Sequence, residues 1–182
     1  MAPPHWPSHI QYLQCSQFHS SVPPEVRLII QGNSNTNKQP TKHRPPVVIR
    51  RITSTSHPAQ GQCGLFAAKK IPPQTHVIDY IGEIHCDDRP DSDYDLSLYR
   101  GHDGVNAGID ASRMGNEARF VNDYRGIAAK PNAVFSDLKT PLGEMRMSIW
   151  SSGQEIKKGE EILVSYGKAW WRARQTNVPD FI

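Results

Sequence analysis

Cysteine is scarce in this 182-residue chain, and its three copies, Cys15, Cys63 and Cys86, stand far apart. An odd, scattered set offers no disulfide framework, and without a Cys-x-x-Cys pair there is no start to a zinc site, so no metal is expected. Reduced thiols follow, and with them an intracellular setting. No apolar run is long enough to cross a bilayer. The opening MAPPHWPSHI has neither the basic start nor the apolar stretch of a secretory signal. Long amphipathic helices and internal repeats are also missing, which points away from helical and repeat architectures.

Charge of one sign is lacking over most of the chain. The formal excess of +3 comes wholly from the first 46 residues, where Arg27, Lys38, Lys42 and Arg44 face Glu25 alone. The balanced remainder has no basic footprint for phosphate backbones, so no direct nucleic-acid site is expected there, and no membrane contact. The basic leader could touch phosphate or an acidic surface, or simply be solvated.

What is present divides the chain in three. Residues 1–46 are rich in proline and carry a Gly-Asn-Ser-Asn-Thr-Asn stretch at 32–37, a composition that favours turns and fills no core. A disordered basic leader is expected, with VRLII (26–30) at most laid on the body as one strand. From Val47 the texture changes to short runs of β-branched and aromatic residues between Gly, Pro, Asn and Asp turns: VVIRRI (47–52), GLFAA (64–68), HVIDYIGE (76–83), NAGID (106–110), NAVFSDL (132–138), RMSIW (146–150) and EEILVSY (160–166). This predicts a mainly β body of small sheets over 47–171, with short helices around Ser112–Phe120 and after Lys168. Residues 172–182 are a C-terminal tail.

Within the body, ordered segments carry the chemistry: CGLFA with the following IPP turn, YIGE, the run IDASRMGNEARFVN, PNAVF, and the ending KKGEEILVSYG. Singly each is ordinary. In this order they resemble the SET domain, a family of S-adenosylmethionine-dependent protein lysine methyltransferases, over roughly residues 47–171. The resemblance implies a fold of several small sheets with a pseudoknot-like crossing, where two asparagine-bearing segments pass through one another, an exception to unthreaded connections.

The resemblance also implies site residues. Gln62, Cys63 and Gly64 look like the first cofactor loop, where close backbone approach needs small residues. Arg119, Phe120 and Asn122 look like the segment whose asparagine holds the amino-acid end of S-adenosylmethionine, and the main chain of Asp123 would meet the adenine. Tyr166 looks like the catalytic tyrosine, and it also borders the cofactor. Tyr80, Tyr94 and Tyr124 are candidates to complete an aromatic cage, and Trp170 could cover the adenine. Each of these residues has a packing or turn alternative: tyrosines fill cores, asparagines cap turns, and paired tryptophans pack one in and one out. Arg119 could instead pair with Glu83 or Glu161 across the core. Asn132, after Pro131, reads as architectural.

These residue types suit the chemistry. Methyl transfer from a sulfonium to a lysine amine is an in-line displacement that needs alignment more than acid or base work. Tyrosine lines an apolar channel while offering one hydroxyl, and burial lowers the pKa of an entering lysine. The acidic stretch DDRPDSDYD (87–95) could draw in a basic peptide such as a histone tail, or be a solvated loop. Several positions depart from the family pattern. Asp123 stands where histidine is common, Val164 where Phe or Tyr is common, Gln62 where glycine is common. The flanking cysteine-rich segments are missing, so residues 168–182 would have to supply that part of the channel wall. Two readings follow: a lysine methyltransferase acting on a histone or another protein, with the nucleus favoured over the cytoplasm, or a catalytically weak or inactive SET-like interaction module.

Overall fold

The segment PPEVRLIIQG shows how the leader is tied to the body. Pro24 occupies the first helical turn, where its missing N–H costs nothing, and Glu25 sits at the positive end of the helix. Val26 and Ile30, four residues apart, fall on one face. The result is a helix, α1 (Pro24–Gln31), closed by Gly32 at φ +60°, whose N–H donates to the Leu28 carbonyl. The expected strand at VRLII is therefore corrected, because helix start and stop signals outweigh the β-branched content of so short a run.

The computed structural model describes residues 2–33, 45–102 and 104–175. In chain order its strands begin with β1 (Gln11–Tyr12), β2 (Gln17–Phe18), β3 (Val47–Arg51), β4 (Cys63–Ala67), β5 (His76–Tyr80) and β6 (Glu83–His85). They continue with β7 (Asp95–Arg100), β8 (Asn106–Asp110), β9 (Met114–Gly115), β10 (Asn122–Asp123), β11 (Ala133–Lys139), β12 (Met145–Ser151) and β13 (Leu163–Val164). A 3-10 turn spans Glu117–Phe120, and α2 spans Gly167–Gln175. The small sheets are β2-β6-β8-β7, β11-β12-β5, β3-β4, β1-β9 and β10-β13. The mainly β expectation holds, with no described helix long and apolar enough to cross a membrane. The run expected as one strand at 76–83 breaks at Ile81-Gly82 between β5 and β6, and Gly82 there lies so close to the Asp110 backbone that a side chain would not fit. The strand β7 grows out of what reads in sequence as an acidic loop.

The leader is not an appendage over its described part. Strand β1 pairs in parallel with β9, and β2 in parallel with β6. Val22, Val26 and Ile30 join the same core cluster as Ile49, Leu65, Ile109 and Ile149. The Trp6 ring meets Phe120 edge to face at 5.6 Å. The expectation of a disordered 1–46 is thus corrected for residues 2–33, because a few well-placed apolar side chains offset a proline-rich composition once a core exists to receive them. The remaining leader positions 34–44, with Lys38, Lys42 and Arg44, lie outside the described residues. At the other end α2 runs through 172–175, which moves the tail boundary; residues 176–182 also lie outside.

Ile30 is 2% exposed. Ile30→Ala should cost about 2–5 kcal/mol in chemical denaturation, the usual weight of a truncated core isoleucine, and deletion of residues 1–33 should lower the melting temperature clearly. An unchanged transition in both would detach the leader from the core.

Candidate active site

Asparagine builds the frame. Strand β10 pairs in parallel with β13, setting Asn122 beside Leu163 and Asp123 beside Val164. From a second segment Asn132 grips the same stretch. Its N–H donates to the Leu163 carbonyl at 3.1 Å, its Nδ2 donates to the Glu161 carbonyl at 2.8 Å, and its Oδ1 accepts the Leu163 N–H at 2.8 Å. The chain at 161–166 is thereby held from both asparagine segments. An asparagine suits this duty because its side chain mimics a peptide, offering donor and acceptor together.

On one flank of this frame lies a polar chain. Asn122 Nδ2 donates to Glu161 Oε1 at 2.8 Å, and Glu161 Oε2 lies 3.0 Å from His57 Nε2. Gly64 closes over it: a Cβ there would come within 2.6 Å of Glu161 Oε1 and 3.2 Å of Asn122 Nδ2. The need for glycine at 64 is therefore steric.

On the other flank Asp123 is the hub. Its buried carboxylate accepts the Tyr166 N–H at 2.8 Å, the Arg125 N–H at 2.8 Å, the Arg125 guanidinium at 2.8 Å and the Trp171 indole N–H at 3.3 Å. Burial acts to raise its pKa, but these donors outweigh it and hold the carboxyl below the usual range. Tyr166, so anchored, donates its hydroxyl to the Val121 carbonyl at 2.8 Å and meets Trp170 edge to face at 4.8 Å. Burial first, then the Asp123 carboxylate, push the Tyr166 phenol well above its ordinary value. It stays protonated near neutrality.

Tyr80 and Tyr94 lie near enough to Tyr166 for the phenols to interact electrostatically. Tyr80 is buried, donates its hydroxyl to the Tyr94 carbonyl at 2.8 Å and packs edge to face on Phe135, so it backs the cluster. Burial raises its pKa as well. Tyr124 takes a different place, with its ring under the Arg125 guanidinium at 4.9 Å.

The structure thus brings together Gly64, Asn122, Asp123, Tyr166 and Trp170, with Cys63 adjoining in β4. Gln62 is exposed, and its main chain closes the turn to Ala59 and Ile52. Two expected cofactor residues go elsewhere. Phe120 is core packing against Trp6, and Arg119 is buried, donating to the Ala111 carbonyl at 2.8 Å with its guanidinium 4.2 Å from the Tyr94 ring centre. The proposed Arg119 ion pair is also corrected, since Glu83 pairs with Arg89 and the Glu161 carboxylate is hydrogen-bonded to His57 and Asn122. In the acidic stretch, Asp87 bonds Ser21 and Arg89 at the surface, Asp95 bonds His85, and Asp88 and Asp91 are exposed. Sequence reasoning missed His57 altogether and the carboxylate role of Asp123; their bonds to Ala59 and Arg125 are local, but the partners that tie them into the site, Glu161 for one and Tyr166 and Trp171 for the other, lie far along the chain. Two open cavities, of about 630 Å³ beside Lys130, Asn132 and Glu155 and about 280 Å³ beside Arg125, Lys168 and Trp171, adjoin this constellation but are not lined by Asn122 or Tyr166.

Small sheets around a C-terminal segment gripped by two asparagine-bearing stretches, with a tyrosine at its end, define a SET-type fold. The chain belongs to the SET domain family, whose profile matches residues 62–167. It is similar to human "Histone-lysine N-methyltransferase EHMT1", at 32% identity over 114 residues, covering 59% of this chain and 8% of that protein. It is also similar to mouse "Inactive histone-lysine N-methyltransferase 2E", at 26% identity over 180 residues, covering 88% of this chain and 9% of that protein. The chain therefore spans under a tenth of the length of either relative. Its fold matches a crystal structure of ATXR5 in complex with histone H3.1, with TM-score 0.62 and 17% identity, over 88% of this chain and 82% of that one.

Two expected outcomes follow from the site geometry. Gly64→Ala should displace Glu161 and Asn122 and cost about 1–3 kcal/mol of stability, the typical weight of overpacking, as read by denaturant titration. Asp123 has a folded pKa below its unfolded value near 3.9, so its stabilisation is present above that pH and is lost as pH falls through the folded value. Asp123→Asn should therefore lower stability at pH 7 and flatten the acid limb of the stability profile; an acid limb identical to wild type would free Asp123 of this role.

Proposed function

We propose that this chain is an S-adenosylmethionine-dependent protein lysine N-methyltransferase, with a histone tail or another basic protein segment as substrate and the nucleus as its place of action. The observation that carries the reading is the convergence, through the β10–β13 pairing, of an asparagine amide and a half-buried, protonated tyrosine. When bound, S-adenosylmethionine supplies a methyl group activated by its sulfonium.

The residues present fit that cofactor. Asn122 Oδ1, which accepts no hydrogen bond from the described residues, is the acceptor an α-ammonium needs, on a half-buried side chain. Gly64 makes room for the Glu161 carboxylate that bonds this amide, and Trp170 adds an aromatic ring beside Tyr166. The phenols of Tyr80, Tyr94 and Tyr166 make a low-dielectric wall that disfavours a lysine cation and favours the neutral amine the reaction requires. Tyr166 spends its proton on the Val121 carbonyl and so keeps oxygen lone pairs to accept from the amine N–H. It orients and does not take the proton, which is left to solvent. The exposed Asp88 and Asp91 offer negative charge to the basic neighbours of a target lysine.

A second reading has one observation in its favour: the relative that aligns over 88% of the chain bears a name that calls it inactive. In that reading the domain is an interaction module. Calorimetric titration with S-adenosylmethionine, followed by a methyl-transfer assay on histones, separates the two. Micromolar binding should weaken roughly tenfold or more in Asn122→Ala, the scale of one hydrogen bond to a charged group, about 1.5–3 kcal/mol. Tyr166→Phe should keep the melting temperature and lower turnover on the order of a hundredfold, as misorientation in an alignment-limited reaction does. Full activity in Tyr166→Phe would remove the hydroxyl from the mechanism, and no transfer by wild type despite binding would leave the module.

A further inference from the structure

The polar chain behind Asn122 has a direction. The Ala59 N–H donates to His57 Nδ1 at 3.0 Å, so that nitrogen carries no proton and the ring proton sits on Nε2. His57 Nε2–H therefore donates to Glu161 Oε2, while Glu161 Oε1 accepts from Asn122 Nδ2. With its N–H so committed, the Asn122 amide cannot flip without setting its oxygen against a carboxylate. The carbonyl Oδ1 is held on the opposite side.

Charge points the same way. Glu161 and His57 are nearly sealed, at 10% and 9% side-chain exposure. Among the described residues no lysine or arginine lies within ion-pair distance of Glu161. A buried carboxylate held by two neutral donors is short of a cation. Gly64 leaves room on that face for nothing larger than hydrogen.

Resting on the methyltransferase reading above, we infer that Glu161, held by His57, is a positioning and selectivity residue for the cofactor's amino-acid end. It fixes the Asn122 carbonyl outward and adds negative potential, so the subsite discriminates for a ligand bearing an α-ammonium. His57 lies outside the segment matched by the family profile, so this brace is supplied by the turn at 54–60 of this chain.

The test compares two ligands on the full-length protein by calorimetry: S-adenosylhomocysteine, which carries the amino-acid moiety, and methylthioadenosine, which lacks it. Wild type should bind S-adenosylhomocysteine the more tightly. Glu161→Gln should lose at least about tenfold in affinity for S-adenosylhomocysteine while methylthioadenosine stays within about twofold, the size expected for losing one charge-assisted contact. His57→Ala should shift the same ratio partway, and His57→Gln, which can still donate to Glu161, should restore it. Binding of methylthioadenosine reports that each variant retains its pocket. Equal losses for both ligands, or an unchanged ratio across all three variants, would overturn the inference while leaving the methyltransferase reading standing. Failure of wild type to bind either ligand would overturn both.

Discussion

The grip on residues 161–166 is the constraint on which the rest depends. Two asparagine-bearing segments, separated by a loop, close on a stretch that arrives some thirty residues later. Asn132 binds its main chain on one side and β10 pairs with it on the other. Because Glu161, Val164 and Tyr166 belong to that stretch, the same hydrogen bonds that complete the core also aim the carboxylate and the phenol. The candidate site has no existence before these distant segments meet.

Around the grip, charge is used for organisation more than for surface field. Asp123 ties Tyr166, Arg125 and Trp171 together. Asp110, equally buried, accepts from Ser92, Ser112 and Arg89 and so anchors the acidic stretch to the sheet. In both cases burial opposes ionisation and several donors outweigh it, which holds each carboxyl below its ordinary range. Replacing a family histidine by Asp123 is compatible with the fold because an acceptor-only group can serve four donors at once, where a neutral imidazole offers a single acceptor.

Membership of the SET domain family and the local geometry support each other at different levels. The family match accounts for the order of the segments, while the structure supplies what a profile does not: why Gly64 must be bare, and how Asn122 is oriented from behind. The leader adds a further level. Its strands complete two sheets and its helix covers the core, so a stretch outside the matched segment contributes to the frame that holds the site.

The sequence by itself determined the mainly β character and the position of most strands, because turn residues and β-branched runs are local signals, and its ordered motifs marked Gly64, Asn122 and Tyr166, which the fold brings near one another. It misread VRLII, where a helix cap and an i, i+4 pair compete with β propensity, and it misread the leader, where composition hides a few spaced apolar residues. Arg119 and Phe120 drew attention as motif neighbours of Asn122 but face the core. Only the tertiary structure decided the joining of Asp123 to Tyr166 and Trp171, the pairing of Asp95 with the buried His85, and the link from His57 through Glu161 to Asn122. Those contacts join residues up to about a hundred positions apart, and a hydrogen bond between such residues leaves no periodicity or spacing to read; it exists only once packing has brought donor and acceptor together.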